Sequence, residues 1–306
     1  MKTTLPNGFY TALGTPLDEN GNILPESLAV QIQMQQQAGA AGFLVLGSMG
    51  MQASVRHDQC VVAVATAADV LDQWSAKHEK RPILLAGVMD NSVARVLDRI
   101  KMLSGLSVDG VVATTPFYGI CGENALEKFF LQIADQSAFP LYLYDLPTVT
   151  KMKITWPLVR KLAQHPNICG IKTADLALTR SLWLDDSIRK TFSTIFSGLD
   201  VFDVVSAFGI TRFLDGMFAC CPQTTKRMFE LFAEGRLEEG SVLLNQILDL
   251  RDTMFRYNIF PAFTAAMNLL GCPGDHAPDY ETASPPEALE VIRRKLVEMK
   301  ELGARD

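Results

Sequence analysis

The sequence predicts an α/β protein, a (β/α)8 TIM barrel with a C-terminal helical extension. Eight short apolar runs rich in strand-forming residues recur along the chain, and each ends in small or polar residues. Most runs are continuously apolar, which is typical of parallel strands covered on both faces. Segments long enough for helices separate the first seven runs, so a strand-then-helix unit repeats. A doubly wound open sheet is the alternative, and it is less favoured because the chain has no nucleotide-binding fingerprint.

The predicted strands coincide with the apolar runs, in chain order. They are GFYTALGTP (8–16), GFLVLGS (42–48), ILLAGV (83–88), GVVATTP (110–116), LYLYDLP (141–147), CGIKTA (169–174), IFSGLD (195–200) and RFLDGMF (212–218). The predicted helices between them span 25–40, 56–79, 92–104, 123–137, 156–165 and 179–190, with a shorter one within 201–211. Each strand is therefore followed by a helix before the next strand begins, as a closed parallel barrel requires.

The chain beyond about residue 222 is expected to be helical throughout. Apolar residues keep helical spacing there in three stretches: Met228, Leu231 and Phe232; Leu243, Leu244, Ile247, Leu250 and Met254; and Leu289, Ile292, Leu296 and Met299. The first stretch is expected to form the eighth barrel helix. We therefore predict a single domain, with a barrel over residues 1–233 and an extension over residues 234–306 packed on it.

Composition and charge argue against several kinds of partner. The formal net charge is −6, and an acidic protein is not attracted to nucleic acid or to an anionic membrane. No apolar run reaches the ~18 residues of a membrane-spanning helix, and the N-terminus lacks the apolar core of a signal peptide. The six cysteines are scattered without a C-x-x-C pair, as in reduced proteins. We expect a cytoplasmic protein that acts on a small molecule.

Reactive groups of a barrel enzyme gather at the C-terminal ends of its strands. Those ends carry hydroxyls, carboxylates and one amine: Ser48, Met49, Thr115, Tyr118, Tyr144, Asp145, Lys172, Thr173, Asp200 and Asp215. None of the four histidines falls at a strand end, and no metal-binding or phosphate-binding motif is present. The sequence therefore predicts neither a metal nor a cofactor.

Lys172 is the most informative of these residues, because it ends an apolar strand within PNICGIKTAD (166–175). Lysine is rarely buried without a reason, and burial disfavours its charged form. A neutral amine attacks a ketone to form a Schiff base, and Tyr144 on the preceding strand offers a phenol for proton transfer. The plainer interpretations are that Lys172 is ion-paired or reaches solvent and that Tyr144 only packs.

Taken in order, the motifs resemble those of the dihydrodipicolinate synthase / N-acetylneuraminate lyase family of class I, pyruvate-handling aldolases. The resemblance spans nearly the whole chain. Its motifs here are GFYTALGTPLDENGNI (8–23), GFLVLGSMG (42–50), VVATTPFYG (111–119), LYLYDLP (141–147), CGIKTA (169–174) and FSGLD (196–200). The corresponding family patterns include G-[TS]-T-G-E, T-P-[YF]-Y, Y-[ND]-x-P and G-[IV]-K. Each motif alone is weak, but their order at barrel spacing is specific.

The resemblance implies a role for each matching residue. Lys172 corresponds to the Schiff-base lysine, and Tyr144 corresponds to the tyrosine that moves protons at the imine. Ser48 and the backbone amide of Met49 correspond to the turn that holds the substrate carboxylate. Tyr118 corresponds to a tyrosine that reaches the active site of a neighbouring subunit, which implies a relay from Tyr144 through Ser48 to Tyr118.

Further positions and the assembly follow from the same resemblance. Thr173, Asp200 and Leu214, at the ends of the last three strands, complete the expected substrate-binding set. The family forms tetramers built from dimers, so we expect a homotetramer.

Departures from the family patterns bear on the substrate. Met49 replaces the second hydroxyl of the turn, and Met51 replaces its glutamate. Val149 stands where dihydrodipicolinate synthases carry an arginine that binds a carboxylate, so that activity is disfavoured. Val201 stands where sialic acid lyases carry an acidic residue, so sialic acid is disfavoured too. Arg212 and Asp215 replace small residues, and they are expected either to contact a polar substrate tail or to pair with each other or solvent.

The expected function is a Schiff-base-forming lyase or aldolase acting on a 2-oxo acid, with pyruvate as one partner. A 2-keto-3-deoxy sugar acid is the expected kind of substrate. Two alternatives stay open: a keto-deoxy acid dehydratase that uses the same imine, and a barrel that has lost catalysis and serves as a binding or regulatory protein. Pyruvate release separates the aldolase from the dehydratase, and trapping of an imine separates both from the binding protein.

Overall fold

The computed structural model describes residues 4–303 and confirms the predicted barrel. Eight parallel strands close in sequence order, with β1 paired to both β2 and β8. The strands are β1 (Gly8–Ala12), β2 (Gly42–Val45), β3 (Ile83–Gly87), β4 (Gly110–Thr114), β5 (Leu141–Asp145), β6 (Ile168–Thr173), β7 (Ser193–Phe196) and β8 (Arg212–Asp215). Most end before the predicted runs do, because the last residues of each run turn away to form the loops of the C-terminal face.

Helices surround the strands and continue past the last one. They are α1 (Pro25–Gln37), α2 (His57–Ser75), α3 (Val93–Met102), α4 (Glu123–Gln136), α5 (Pro147–Thr150), α6 (Trp156–Leu162), α7 (Leu176–Leu184), α8 (Asp186–Arg189), α9 (Phe202–Ala207), α10 (Pro222–Ala233), α11 (Leu237–Arg256), α12 (Ile259–Leu269) and α13 (Pro286–Glu298). The predicted division at residue 233 falls between α10 and α11. Residues 1–3 and 304–306 of the predicted units lie outside the described part.

Side chains alternate along each strand between the barrel interior and the helix layer. Two tyrosine rings, of Tyr10 and Tyr142, fill the lower interior. Gly110 and Gly170 make room for the Tyr142 ring, since a Cβ at either position would lie 2.5 or 2.7 Å from its carbon atoms. The lower barrel is thus a packed core, and the reactive groups are confined to its upper, C-terminal end.

The N-terminal segment closes the lower end of the barrel. The Leu5 amide donates to Ser193 Oγ at 2.9 Å, and the Tyr10 hydroxyl donates to the Pro6 carbonyl at 2.7 Å. Arg212 also holds this segment in place, because its Nε donates to the Leu5 carbonyl at 2.6 Å. The hypothesis that Arg212 contacts a substrate tail is therefore wrong: it begins β8, at the end of the barrel opposite to the reactive groups.

The C-terminal extension packs α11 against α10 and α13 against α12. Ile247, Leu250 and Met254 of α11 are buried, as their helical spacing predicts. Between α12 and α13, the chain returns over the C-terminal face of the barrel and places Pro278 and Tyr280 there. Within residues 4–303, no helix combines the length and the apolar character that crossing a bilayer requires.

His276, buried in the extension against the Phe263 ring, is expected to make stability depend on pH. Burial lowers the pKa of His276 from 6.5 to about 4. His276 therefore becomes protonated below pH ~6.5 in the unfolded chain, but only below about pH 4 in the folded chain. Stability is complete above this window and falls as the pH drops through it, by about 3 kcal/mol in full. Urea midpoints measured between pH 7 and pH 4.5 check this.

A variant pair isolates the contribution of this ring. His276→Gln removes the titrating group, so its loss of stability between pH 7 and pH 4.5 should be smaller than that of the wild type. His78→Gln, at an exposed position, serves as the matched control and should keep the wild-type pH dependence. Equal pH dependence in all three proteins contradicts the assignment.

Candidate active site

Lys172 lies in β6 with its side chain in the upper barrel interior. The residue is 7% exposed, and its Nζ lies 3.7 Å from the centroid of the Tyr144 ring. Strand register sets this contact, because Tyr144 of β5 is the direct partner of Lys172. Among residues 4–303, no carboxylate forms an ion pair with this amine. The amine is thus neither exposed to bulk water nor ion-paired.

Tyr144 is linked to the loop that follows β2. The Tyr144 hydroxyl lies 3.3 Å from Ser48 Oγ, within hydrogen-bond reach. The loop turns sharply there: Leu46 and Met51 adopt left-handed conformations, with φ of 58° and 51°. Such conformations in bulky residues store strain of order 1–2 kcal/mol each, and strained turns cluster at functional sites. The structure therefore brings Ser48, Tyr144 and Lys172 into one contiguous set.

The tip of this turn carries two backbone amides without a backbone partner. In the described part of the chain, the amides of Ser48 and Met49 donate no hydrogen bond to a backbone carbonyl. The Met49 side chain covers Gly216 beyond β8, where a Cβ would come within 2.9 Å of its Cε. Met49 therefore contributes an apolar cover and an amide, as expected for a position that has lost its side-chain hydroxyl.

Tyr118 is not brought to this set within one chain. It follows β4, and its ring is 94% exposed. The amides of Phe117 and Tyr118 both donate to Asn91 Oδ1, at 2.8 and 2.7 Å, which fixes the backbone that carries the ring. The relay is present from Tyr144 to Ser48, and its third member points away into solvent.

Thr173 occupies the opposite side of β6 from Lys172, which corrects its expected contact with substrate. Its hydroxyl donates to Asp145 Oδ2 at 2.8 Å and accepts from the Asp175 amide at 3.0 Å. Asp145 is itself buried, and it also accepts from the Ile154 amide at 3.0 Å and pairs with Lys153. These bonds tie β5 to β6 behind the reactive residues. The alternation of side chains along β6, read one residue beyond Lys172, is the signal that would have found this.

Asp200 and Leu214 were expected to bind substrate, and within the single chain their side chains make other contacts. The Asp200 carboxylate is held at 2.8 Å on both oxygens by Arg251 of α11, and these hydrogen bonds lower its pKa. Leu214 is buried among the apolar side chains of the barrel interior. The pairing of Asp200 with Arg251 could not be predicted from the sequence, because the two residues lie 51 positions apart.

Asp215 does not pair with Arg212, since the two lie at opposite ends of β8. Its Oδ1 accepts from the Met217 amide at 2.8 Å. Burial raises the pKa of Asp215, and the positive charge of Lys172 opposes that shift. Asp215 therefore belongs to the upper end of the barrel, on the same side as the reactive amine.

A cavity of about 260 Å³ opens beside Ser48. Its walls come from the ends of several strands and from the C-terminal extension. The lining residues are Gly47, Ser48, Met51, Gln52, Ala53, Ser54, Met89, Thr114, Phe117, Leu146, Val149, Thr150, Phe260, Pro278 and Tyr280. None of these residues carries a charge, so the cavity wall offers no cation to a carboxylate on a bound molecule. Within residues 4–303, no three His, Cys, Asp or Glu side chains come together as metal ligands.

Comparison with known proteins identifies the family. The model of the Dihydrodipicolinate synthetase family matches residues 5–280. The chain belongs to this family. Membership in the dihydrodipicolinate synthetase family confirms the resemblance inferred from the motifs, and with it the predicted class of enzyme, a class I aldolase or lyase.

Relatives and solved structures agree with this membership. The chain is 27% identical over 266 residues to 4-hydroxy-tetrahydrodipicolinate synthase of Acidiphilium cryptum, covering 87% of this chain and 88% of that protein. It is 26% identical over 252 residues to the protein of the same name from Escherichia coli K12, covering 81% and 82%.

Among solved structures, the fold matches a prophage protein of the dihydrodipicolinic acid synthase family from E. coli K12, solved in complex with pyruvate. The TM-score is 0.86 at 20% identity, over 98% of this chain and 100% of that chain. A dihydrodipicolinate synthase from Thermotoga maritima also gives 0.86, at 21% identity over 97% and 100%. At this level of identity, these matches support the barrel fold.

Proposed function

We propose that this enzyme forms a Schiff base between Lys172 and a 2-oxo acid of the pyruvate type and makes or breaks an aldol bond through it. The observation that carries the proposal is the buried Lys172 amine, which pairs with no carboxylate of residues 4–303 and lies 3.7 Å from the centroid of the Tyr144 ring. A lysine held in this way is available as a nucleophile.

The chemistry follows from that placement. The Lys172 nitrogen attacks C2 of the oxo acid, the former carbonyl oxygen leaves as water, and a protonated imine remains. In the cleavage direction, the C4 hydroxyl loses its proton and the C3–C4 bond breaks. The electron pair moves into the imine to give an enamine, and an aldehyde leaves. Protonation at C3 and hydrolysis then release pyruvate and restore the amine.

Two neighbours support these steps. In this proposal the Tyr144 hydroxyl exchanges protons at the imine nitrogen and at the leaving hydroxyl, and Ser48 Oγ, 3.3 Å away, passes the proton on. The amides of Ser48 and Met49, which lack a backbone partner within residues 4–303, are proposed to donate hydrogen bonds to the substrate carboxylate.

Borohydride trapping tests the proposal. Incubation with pyruvate and borohydride should add the mass of one reduced pyruvate unit, and peptide mapping should place it on Lys172. If no 2-oxo acid gives an adduct, the catalytic proposal fails and the barrel is a binding protein.

The identity of the second substrate is a separate part of the proposal. The relatives above are named 4-hydroxy-tetrahydrodipicolinate synthases, yet Val149 lies in the cavity wall here and no lining residue is basic. We therefore propose cleavage of a 4-hydroxy-2-oxo acid, the class to which 2-keto-3-deoxy sugar acids belong, in preference to condensation with an aldehyde that carries a carboxylate. Pyruvate release identifies the aldolase, whereas consumption of the substrate with loss of water and no pyruvate identifies a dehydratase.

Tyr118 is proposed to act in the active site of another copy within a homotetramer. Its ring, 94% exposed in the single chain, is expected to complete the relay of a neighbour. Tyr118→Phe should lower kcat by about 10-fold or more, because a proton-transfer group is lost. Sedimentation equilibrium should show the oligomer in both proteins.

Co-expression distinguishes action in another copy from action within one chain. Tyr118→Phe and Tyr144→Phe chains, each weakly active alone, form an intact site in a mixed pair only if Tyr118 is donated across the interface. Random pairing should then restore about a quarter of wild-type activity. Mixed oligomers that are no more active than the separate variants contradict the proposal.

A further inference from the structure

A buried carboxylate lies directly behind the proposed reaction centre. Asp145 ends β5 and is 3% exposed, and its two oxygens accept from different segments. Oδ1 accepts from the Ile154 amide at 3.0 Å, and Oδ2 accepts from the Thr173 hydroxyl at 2.8 Å. The Lys153 ammonium pairs with Oδ2 as well, and within residues 4–303 it is the one cation that pairs with this carboxylate. Such a partner matters, because an unpaired charge is costly away from water.

Lys153 also contacts the segment that follows β6. Its Nζ lies 2.9 Å from Asp175 Oδ2, and Asp175 Oδ1 accepts from the Leu178 amide at 2.8 Å in the first turn of α7. Burial disfavours the charge of Lys153, but its hydrogen bonds to Asp145 and Asp175 outweigh burial and raise its pKa. One ammonium group, charged at neutral pH, therefore joins the end of β5 to the start of α7.

The hydrogen bond between Asp145 and Thr173 stands next to the pair that is proposed to react. Asp145 and Thr173 are register partners, and the partners one position earlier on the same strands are Tyr144 and Lys172. Both strands end at the Asp145–Thr173 pair, so the backbone ladder does not continue past it. The spacing of Tyr144 and Lys172 is therefore set on one side by the ladder and on the other by this side-chain bond, which Lys153 supports.

We propose that Lys153 is a positioning residue: through Asp145 it fixes the spacing of β5 and β6, and with it the place of the Lys172 amine. The inference rests on the proposed Schiff-base function. Without the ammonium, the Asp145 carboxylate would turn toward water and release the Thr173 hydroxyl, and the two strand ends would move apart. A displacement of about 1 Å near reacting groups costs about 10²-fold in rate.

The test follows imine formation by the wild type and by Lys153→Met. Enzyme and pyruvate are mixed, samples are quenched with borohydride at increasing times, and the adduct on Lys172 is quantified by mass spectrometry. Lys153→Met should lower the maximal rate constant by about 10²-fold. The pyruvate concentration that gives half of this rate should change by less than about 3-fold, because the amides proposed to bind the carboxylate, of Ser48 and Met49, lie on another loop.

Three further variants separate positioning from a general effect on the fold. Lys153→Arg keeps a cation that pairs with both carboxylates, so it should restore the rate constant to within about 5-fold of the wild type. Lys151→Met is the matched control and should keep the wild-type rate, because Lys151 is exposed and its Nζ donates to the Thr148 carbonyl. Thr173→Val cuts the link between the strands without unpairing a charge, and it should lower the rate constant by about 10-fold with the fold retained.

Several results overturn the inference. A wild-type rate constant in Lys153→Met does so, as does a Lys153→Arg enzyme as slow as Lys153→Met, or a loss of rate that excess pyruvate reverses. If Lys153→Met does not fold, Thr173→Val decides, and a wild-type rate constant in that variant overturns the inference. The wild-type adduct keeps the two proposals apart. No adduct overturns the Schiff-base function, whereas an adduct that forms equally fast without Lys153 overturns only the positioning role.

Discussion

Lys172→Arg should abolish turnover, with kcat reduced by at least about 10³-fold. Arginine keeps the positive charge and much of the length, but its guanidinium does not deprotonate in proteins and so cannot attack a carbonyl. Lys172→Ala should be equally inactive. Pyruvate release under saturating substrate measures the loss, and the borohydride adduct should disappear from the intact protein at the same time.

A control separates loss of the nucleophile from damage to the fold. Lys190→Arg changes an exposed lysine beyond α8 and should retain wild-type kcat and the adduct. The unfolding midpoint of Lys172→Arg should remain close to that of the wild type, since arginine keeps the positive charge and no carboxylate within residues 4–303 forms an ion pair with this amine. A Lys172→Arg enzyme that still traps pyruvate would show that the imine forms on another residue.

Tyr144→Phe should lower kcat by about 10²–10⁴-fold, the range for removing a general acid–base group. The ring that lies 3.7 Å from the Lys172 amine is kept, and only the hydroxyl near Ser48 is lost. Imine formation should become slow but remain detectable, so prolonged incubation with pyruvate and borohydride should still modify Lys172. Single-turnover measurements resolve imine formation from C–C cleavage.

Tyr142→Phe provides the matched control on the same strand. Tyr142 lies two residues earlier, in the packed lower interior, where burial raises the pKa of its hydroxyl and its ring fills the space left by Gly110 and Gly170. Removing that hydroxyl should leave kcat within about 3-fold of the wild type. Equal losses in the two variants would mean that the Tyr144 hydroxyl acts through packing and not through proton transfer.

The apolar runs were sufficient to predict the strands. Parallel strands buried on both faces are continuously apolar, whereas loops and amphipathic helices contain polar residues that interrupt such runs. The residues proposed to react were likewise recognisable in the sequence where the signal was local. Lys172 stands out as a charge ending an apolar strand, and its register partner Tyr144 ends the strand before it. The order of motifs then pointed to the family, which the match over residues 5–280 confirms.

Residue roles that depend on orientation or on distant partners were not predictable in this way. Lys172 and Thr173 are neighbours in β6, so their side chains lie on opposite faces of the strand. Lys172 faces the barrel interior, and Thr173 faces the helix layer. The Asp200 carboxylate is held by Arg251, which arrives from α11.

The sequence by itself determined the barrel, the enzyme class and the position of Lys172, the proposed nucleophile, because apolar strand runs and motif order are properties of neighbouring residues. Only the tertiary structure decided which side chains share the barrel mouth with that amine, and that Arg212 lies at the far end. The physical reason is that burial, ion pairing and unsatisfied hydrogen bonds arise between segments far apart in the chain, which meet only when the barrel closes.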